Sequence, residues 1–393
     1  LSGKRILVIT HNFVRFPDDP AGQFLYTLYR QLETQHTFYI LCPHQRGLKY
    51  SEKLGKLNIV RFQYWLESGE DLAYEGDMQE KVAKSLVGKI KFIFLILFGT
   101  LSAVRLIISK RIDIIHCHWW IPGGISGWIA SILTGRGLIL TSHGTDIILL
   151  EKKPGLRKIA DKVFKRASAI TTVSNFLKDK LSNTIEMKKM KIYVFPMPYD
   201  AEKLETADDK VEREKGYILS VGRLNYQKGQ DYLIKACGIL KEKGYSFRVD
   251  IIGGGPERER FEDLIRQLGL GGKIKLLGPL PHNEVIRHYK RAEIFVLPSV
   301  DEGFGMVFVE ALASGTAIIG ADSGGVKDII KDGKTGLLVP PEDEVELAKA
   351  IMKFLDDGDF ATRTAEAGRD FVLNNFTPSA TAEKLNTIYR SVR

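Results

Sequence analysis

Two carboxylates, Glu302 and Glu310, stand eight positions apart in the stretch 297–315, with Gly303 and Gly305 between them. Carboxylates accept hydrogen bonds from sugar hydroxyls. Glycines remove side chains where a ligand approaches the backbone. Amides at the start of a helix, carrying the positive end of its dipole, suit a phosphate. A ligand bearing both phosphate and sugar hydroxyls would engage the whole set, and a nucleotide sugar is such a ligand. The plainer reading is a loop-to-helix turn with a dipole-compensating Glu, because short glycine motifs also arise by chance. Upstream, Arg223 and Lys228 lie in the loop 222–229. Arg supplies a planar fork and Lys a mobile point charge, a useful pair for a diphosphate, though two basic residues in a loop are usually only solvated. His143 and Asp146 follow the apolar run 138–141. His116 and His118, at i and i+2 on one strand face, are compatible with a metal, but no third ligand lies near them in sequence and no metal is expected.

The elements that must hold these residues follow one rhythm. Apolar runs at 6–9, 38–42, 59–62, 138–141, 169–173 and 192–195, and the segment 113–118, predict strands of a parallel sheet, of the kind buried on both faces. Helical spacing at Phe24, Leu25, Leu28 and Leu32 predicts a helix after the loop 11–22, which carries Pro17, Pro20 and Gly22. Residues 200–215 are charged and poor in apolar side chains, and read as a linker. The rhythm then restarts with strands at 217–221, 248–252, 274–277, 294–297, 317–319 and 336–339. Helices near 344–355, 361–374 and 379–391 close the chain. Gly253-Gly254-Gly255 lacks the spacing of a dinucleotide fingerprint and reads as a tight strand-to-helix turn. The fold class is therefore α/β, with two parallel-sheet domains whose loops at the strand carboxyl ends form the ligand site.

A chain of 393 residues exceeds one ordinary core. Three scattered cysteines form neither a disulfide framework nor a metal set, which points to a reducing, cytoplasmic compartment. The first apolar run is too short for a signal peptide. A net charge of +9 favours acidic partners, yet no nucleic-acid motif is present and none is expected as a partner. Between Lys84 and Ile112 there are six basic residues and no acid, around the apolar run 92–98. Gly99, Thr100 and Ser102 interrupt it, so a core helix is the first reading. The alternative is an in-plane contact with an anionic membrane surface, peripheral on the inner face of the cell membrane. The basic amphipathic helix predicted at 156–167 invites the same alternative.

Taken together, Pro298-Ser299, the Glu302 and Glu310 pair with seven residues between, Gly222-Arg223, Lys228-Gly229 and the glycine turn 320–325 resemble the retaining GT-B glycosyltransferases of family 4. His143-Gly144-Thr145-Asp146 is similar to that family's active-site histidine loop, and 17–22 stands where the family has a glycine-rich acceptor loop. The match departs at Ala21-Gly22, where the family often has two glycines. The resemblance implies two Rossmann-like domains facing across a cleft: 1–198 for the acceptor, 199–372 for the nucleotide sugar, and 373–393 as a helix crossing back to the first.

The same resemblance implies the roles. Arg223 and Lys228 would hold the donor diphosphate and stabilise the charge that develops on it, so that neither metal nor other cofactor is needed. Glu302 would contact the donor sugar and Glu310 the ribose. Gly303, Phe304, Gly305 and Val307 would line the donor. His143 would sit by the reacting carbon, Gly22 near donor or acceptor, and Asp146 on the acceptor side. The implied reaction moves a hexosyl unit from a UDP- or GDP-linked donor to a hydroxyl acceptor, lipid-linked or part of a cell-envelope glycan. A sugar-nucleotide epimerase and a non-catalytic sugar- or lipid-binding module are the competing readings.

Overall fold

The computed structural model describes residues 3–16, 19, 21–185, 191–206 and 211–392. The chain divides into two compact units, Leu1–Pro198 with Pro378–Arg393, and Tyr199–Thr377.

The first unit is built on eight strands: β1 (Arg5–Ile9), β2 (Thr37–Pro43), β3 (Ser51–Leu54), β4 (Leu57–Phe62), β5 (Ile114–His118), β6 (Gly137–Ser142), β7 (Ala169–Thr172) and β8 (Ile192–Val194). Their order is β3-β4-β2-β1-β5-β6-β7-β8. All neighbours are parallel except β3, which runs antiparallel to β4. Helices cover both faces of the parallel strands, so Ile6, Leu7, Val8 and the whole of β6 are buried and the sequence shows runs instead of alternation. β3 escapes a hydrophobicity reading because it is a short edge strand of Ser, Glu, Lys and Leu. The second unit has β9 (Glu214–Val221), β10 (Arg248–Ile252), β11 (Ile274–Gly278), β12 (Ala292–Leu297), β13 (Ala317–Ala321) and β14 (Leu337–Val339). Its order is β11-β10-β9-β12-β13-β14, all parallel.

Each sheet reverses its direction of growth once, between β1 and β5 and between β9 and β12. At such a reversal the connecting helices leave the two strands toward opposite faces, and a crevice opens beyond the strand carboxyl ends. The loops that carry the candidate residues begin at these strands: 11–22 after β1, 222–229 after β9 and 298–305 after β12.

Four features differ from the sequence reading. The linker is shorter: it contains the helix Ala201–Thr206, and β9 already starts at Glu214. That carboxylate belongs in a strand because it accepts hydrogen bonds from Arg248 Nε at 3.0 Å and Arg291 Nε at 2.7 Å. The apolar segment is one helix of 24 residues, Leu86–Ser109, and is only half a core helix. Leu95, Gly99, Thr100, Ala103, Leu106 and Ile107 are buried, while Leu86, Ile90, Ile93, Leu97, Leu101 and Ile108 are exposed. Its small residues mark the packed side: a side chain at Gly99 would meet Phe62 at 3.1 Å and Ser126 of the adjoining helix Ile125–Thr134 at 3.3 Å. By contrast, the basic helix Arg157–Arg166 uses its apolar stripe internally, with Ala160, Val163 and Phe164 buried and only Ile159 left exposed.

The fourth difference is the second unit's end. It lies at Thr377, five residues beyond the expected 372, because the helix Gly358–Asn375 runs unbroken. Phe376 then packs on Phe304 at 5.7 Å between ring centroids. The helix Pro378–Ser391 belongs to the first unit. There Asn386 Nδ2 donates to Gln35 Oε1 at 2.6 Å, and Lys4 Nζ donates to the carbonyl of Tyr389 at 2.7 Å.

Candidate functional site

In the second unit the loops after β9, β12 and β13 are tied together around Glu302. The Asn225 side chain caps the short turn Tyr226–Lys228 by accepting from the Lys228 amide, which sets the direction of that lysine. Lys228 Nζ then donates to Glu302 Oε2 at 2.5 Å, so two residues 74 positions apart meet as a half-buried ion pair. The Val300 amide donates to the Gln227 carbonyl at 2.9 Å, and the Gly325 amide to the Glu302 carbonyl at 2.7 Å. Gly324 has φ of 61°, and a Cβ there would stand 2.2 Å from the Glu302 carbonyl oxygen. Its glycine is thus dictated by the approach of one loop to another. Arg223 is exposed on the loop after β9.

Glu310 sits in the helix Met306–Ala313, which begins at Gly305 with φ of 95°. Phe304 is buried, and Gly303, Val307 and Glu310 are partly open. Glu310 Oε1 faces His282 Nε2 at 3.1 Å, and Oε2 accepts from the Tyr289 hydroxyl at 3.3 Å. Burial would lower the His282 pKa, but the Glu310 hydrogen bond and charge outweigh it, and the net shift is upward. His282 and Tyr289 escaped the sequence reading. The usable signal was their seven-residue spacing, which puts both on one face of the helix His282–Arg291.

In the first unit His143 follows β6 and packs against Trp119 and Phe24, with ring centroids 4.2 and 5.4 Å away. His143 Nε2 lies 2.8 Å from His118 Nδ1. Burial, with His11 and His116 nearby, lowers its pKa to about 3, so the ring is neutral near pH 7. Trp119 has φ of 61°, a conformation rare for a bulky residue and of the strained kind that gathers at ligand sites. Asp146, expected on the acceptor side, is instead buried. Its carboxylate accepts from the amides of His143 at 3.2 Å, Gly144 at 3.1 Å and Trp120 at 3.1 Å. Its contacts are those of a residue that holds the His143 loop.

Gly22 has φ of 73° and starts the helix Gln23–Leu32. A Cβ there would lie 2.6 Å from the Phe13 Cα, so packing within its own loop already requires glycine. Asp19, bound to Arg15 Nε at 2.7 Å, braces that loop. Of the segment 17–22, Pro17, Asp18 and Pro20 lie outside the described residues. His116 and His118 share a strand face as expected, with rings 4.5 Å apart, and their nitrogens face tyrosine, threonine and histidine side chains.

Comparison with known proteins agrees across the chain. Residues 202–371 match the family of glycosyl transferases group 1, and residues 21–203 match glycosyltransferase family 4. The chain is 30% identical over 281 residues to an uncharacterised glycosyltransferase of Methanocaldococcus jannaschii, covering 67% of this chain and 70% of that protein. It is 31% identical over 305 residues to the D-inositol 3-phosphate glycosyltransferase of Corynebacterium glutamicum, covering 70% and 72%. Anabaena HepE in complex with UDP-glucose superposes with a TM-score of 0.73, at 16% identity, over 99% of this chain and 100% of that one.

Proposed function

Because the chain belongs to the group 1 glycosyltransferases of GT-B fold, we propose that it transfers a hexosyl unit, with retention, from a nucleoside-diphosphate sugar to a hydroxyl acceptor. The observation that carries the reading is the Lys228–Glu302 pair at the β9/β12 reversal, beside the exposed Arg223. Arg223 and Lys228 bind the diphosphate and stabilise the charge on the departing phosphate, in the place a metal would otherwise fill. Glu302 orients the donor sugar. Glu310, already aligned by His282 and Tyr289, accepts the ribose hydroxyls. His143, as a neutral ring, hydrogen-bonds the sugar near the reacting carbon.

Retention by double displacement would need a carboxylate nucleophile at the anomeric carbon. Glu302 is engaged with Lys228 and Ser299, which favours front-face attack with the leaving phosphate as base. The UDP-glucose complex of HepE supports a UDP-linked donor.

The acceptor is lipid-linked, and the enzyme works at an anionic membrane surface through the outer face of Leu86–Ser109. Ile93, Leu97 and Leu101 are exposed there, at 62%, 46% and 56%, where a soluble partner-free surface would be polar. Exposed Lys89, Arg105, Lys110 and Arg111 flank this face and no acid interrupts it, which suits anionic lipid headgroups. A thermal-shift screen against UDP-, GDP- and ADP-sugars tests the donor, since a ligand of the folded state raises its stability by mass action. UDP-sugars should give the largest shift. No shift with any of them at millimolar concentration would sink the reading, and an inverted anomeric centre in the product NMR spectrum would sink retention.

A further inference from the structure

Beneath His143 lies a row of side chains that the proposed chemistry does not use. His116, His118, Tyr29, Tyr389, Thr141 and Thr171 are each 0% exposed. Thr171 Oγ1 donates to the Leu140 carbonyl at 3.4 Å and lies 2.5 Å from Thr141 Oγ1. Thr141 Oγ1 is 2.7 Å from His116 Nε2. His116 Nδ1 is 2.7 Å from the Tyr389 hydroxyl and 3.1 Å from that of Tyr29. The Tyr29 hydroxyl is 2.6 Å from His118 Nε2, and His118 Nδ1 is 2.8 Å from His143 Nε2.

The direction of the hydrogens follows from the end of the row. A carbonyl only accepts, so Thr171 donates to it and accepts from Thr141. A hydroxyl has one hydrogen, so Thr141 in turn accepts from His116 Nε2–H. A neutral imidazole carries one hydrogen, which leaves His116 Nδ1 an acceptor. Tyr389 donates to it over the shorter contact. Tyr29, with His116 served, donates to His118 Nε2 over its own shorter contact. His118 must then carry its hydrogen on Nδ1 and donate it to His143 Nε2.

We propose that His118 is a positioning residue for His143: the row running from Tyr389 through His116 and Tyr29 fixes His118 as a donor, and holds His143 as the Nδ1–H tautomer with its Nε2 lone pair occupied. His143 thereby meets the donor sugar as a hydrogen-bond donor and has no free lone pair with which to act as a base. The last helix of the chain supplies the first hydroxyl of the row, although Tyr389 and His116 are 273 positions apart. Burial lowers the pKa of His116 to about 3 and that of His118 well below the ordinary value, so the rings of the row are neutral at working pH and the counting above applies.

The inference rests on the role given to His143, and its test separates the two. Nitrogen-15 NMR of histidine-labelled wild-type protein should show His143 with a protonated Nδ1 and an unprotonated Nε2, before any substrate is added. The opposite tautomer would overturn the proposal. Y29F keeps the ring and removes the hydroxyl, so His118 loses its donor. It should shift the His118 and His143 nitrogen signals and lower kcat by about tenfold or more, the scale on which partners that orient a ligating histidine act, with KM for the donor changed by less than about twofold. H118F should do the same more strongly, and H118N, which keeps a side-chain N–H, should recover part of the loss. Y29F with wild-type kcat and unshifted His143 signals would overturn the proposal even if H118F failed to fold. The expected tautomer in a protein that transfers no sugar would retire the functional reading and leave the row standing.

Discussion

Lowering the pH from about 7.5 to about 5.5 should loosen the first unit by an amount that two buried histidines set. His116 and His118 have no exposed surface. Burial lowers His116 to about 3 and His118 well below 6.5, the ordinary value at which both titrate in the unfolded chain. Below pH 6.5 the unfolded chain therefore binds protons that the folded one refuses. Stability contributed by these groups is complete above 6.5 and is lost progressively as pH falls toward the folded values. Between those two pH values the pair accounts for about 3 kcal/mol. In a unit of this size that lowers Tm by about 6–12 °C. His11 and His143 are lowered by burial in the same sense and are left out of the figure because their side chains are partly open.

The assay is clean because of where the tryptophans are. All four, Trp65, Trp119, Trp120 and Trp128, lie in the first unit. Tryptophan emission during heating therefore reports that unit alone. His282, whose raised pKa adds stability below 6.5 and loses it as pH rises, sits in the other unit and is not read. H116Q should reduce the pH-dependent difference by about half of that 3 kcal/mol, whatever it does to Tm itself. A wild-type Tm that fell by less than about 3 °C would show that the pair takes up protons without unfolding, and would refute the reasoning from burial.

Two further outcomes are expected. K228A should lower kcat/KM for the donor by about a hundredfold or more, while its Tm drops by only about 2–4 °C, because a half-buried pair is worth on the order of 1 kcal/mol; near-normal transfer by K228A would remove Lys228 from the site. I93E/L97E should abolish co-flotation with phosphatidylglycerol vesicles at low salt and leave the tryptophan-detected Tm unchanged, since both side chains are already exposed; equal flotation of variant and wild type would remove this helix as the membrane contact.

Most strands were legible because doubly covered parallel strands leave long apolar runs. The places that were not legible share one cause: a long-range partner decided them. Glu214 reads as linker until Arg248 and Arg291 are seen to hold it at the start of β9. Gly99 reads as a break in an apolar helix until Phe62 and Ser126 are found against it. Of the site residues, Lys228, Glu302 and Glu310 were marked by type and spacing. His282 and Tyr289 were not, because a side chain that aligns another one needs no motif, and His118 was marked only as half of a metal-compatible pair.

The same distinction sharpens the reading of the glycines and of Lys228. Gly22 was expected near donor or acceptor, and Gly324 belongs to the glycine turn 320–325, yet each is already required by a neighbouring stretch of chain. In the second unit, Gly324 and Gly229 thus reflect how closely the loops around Lys228 and Glu302 approach one another. An ammonium has three donors, and the Glu302 contact uses one. The remaining two are enough for a diphosphate without surrendering the carboxylate, whereas a guanidinium fork would commit its paired donors to one acceptor. On the proposed reading, lysine at this position and arginine at 223 are therefore not interchangeable: Lys228 would bridge Glu302 and a donor phosphate, whereas Arg223 would offer its fork to phosphate.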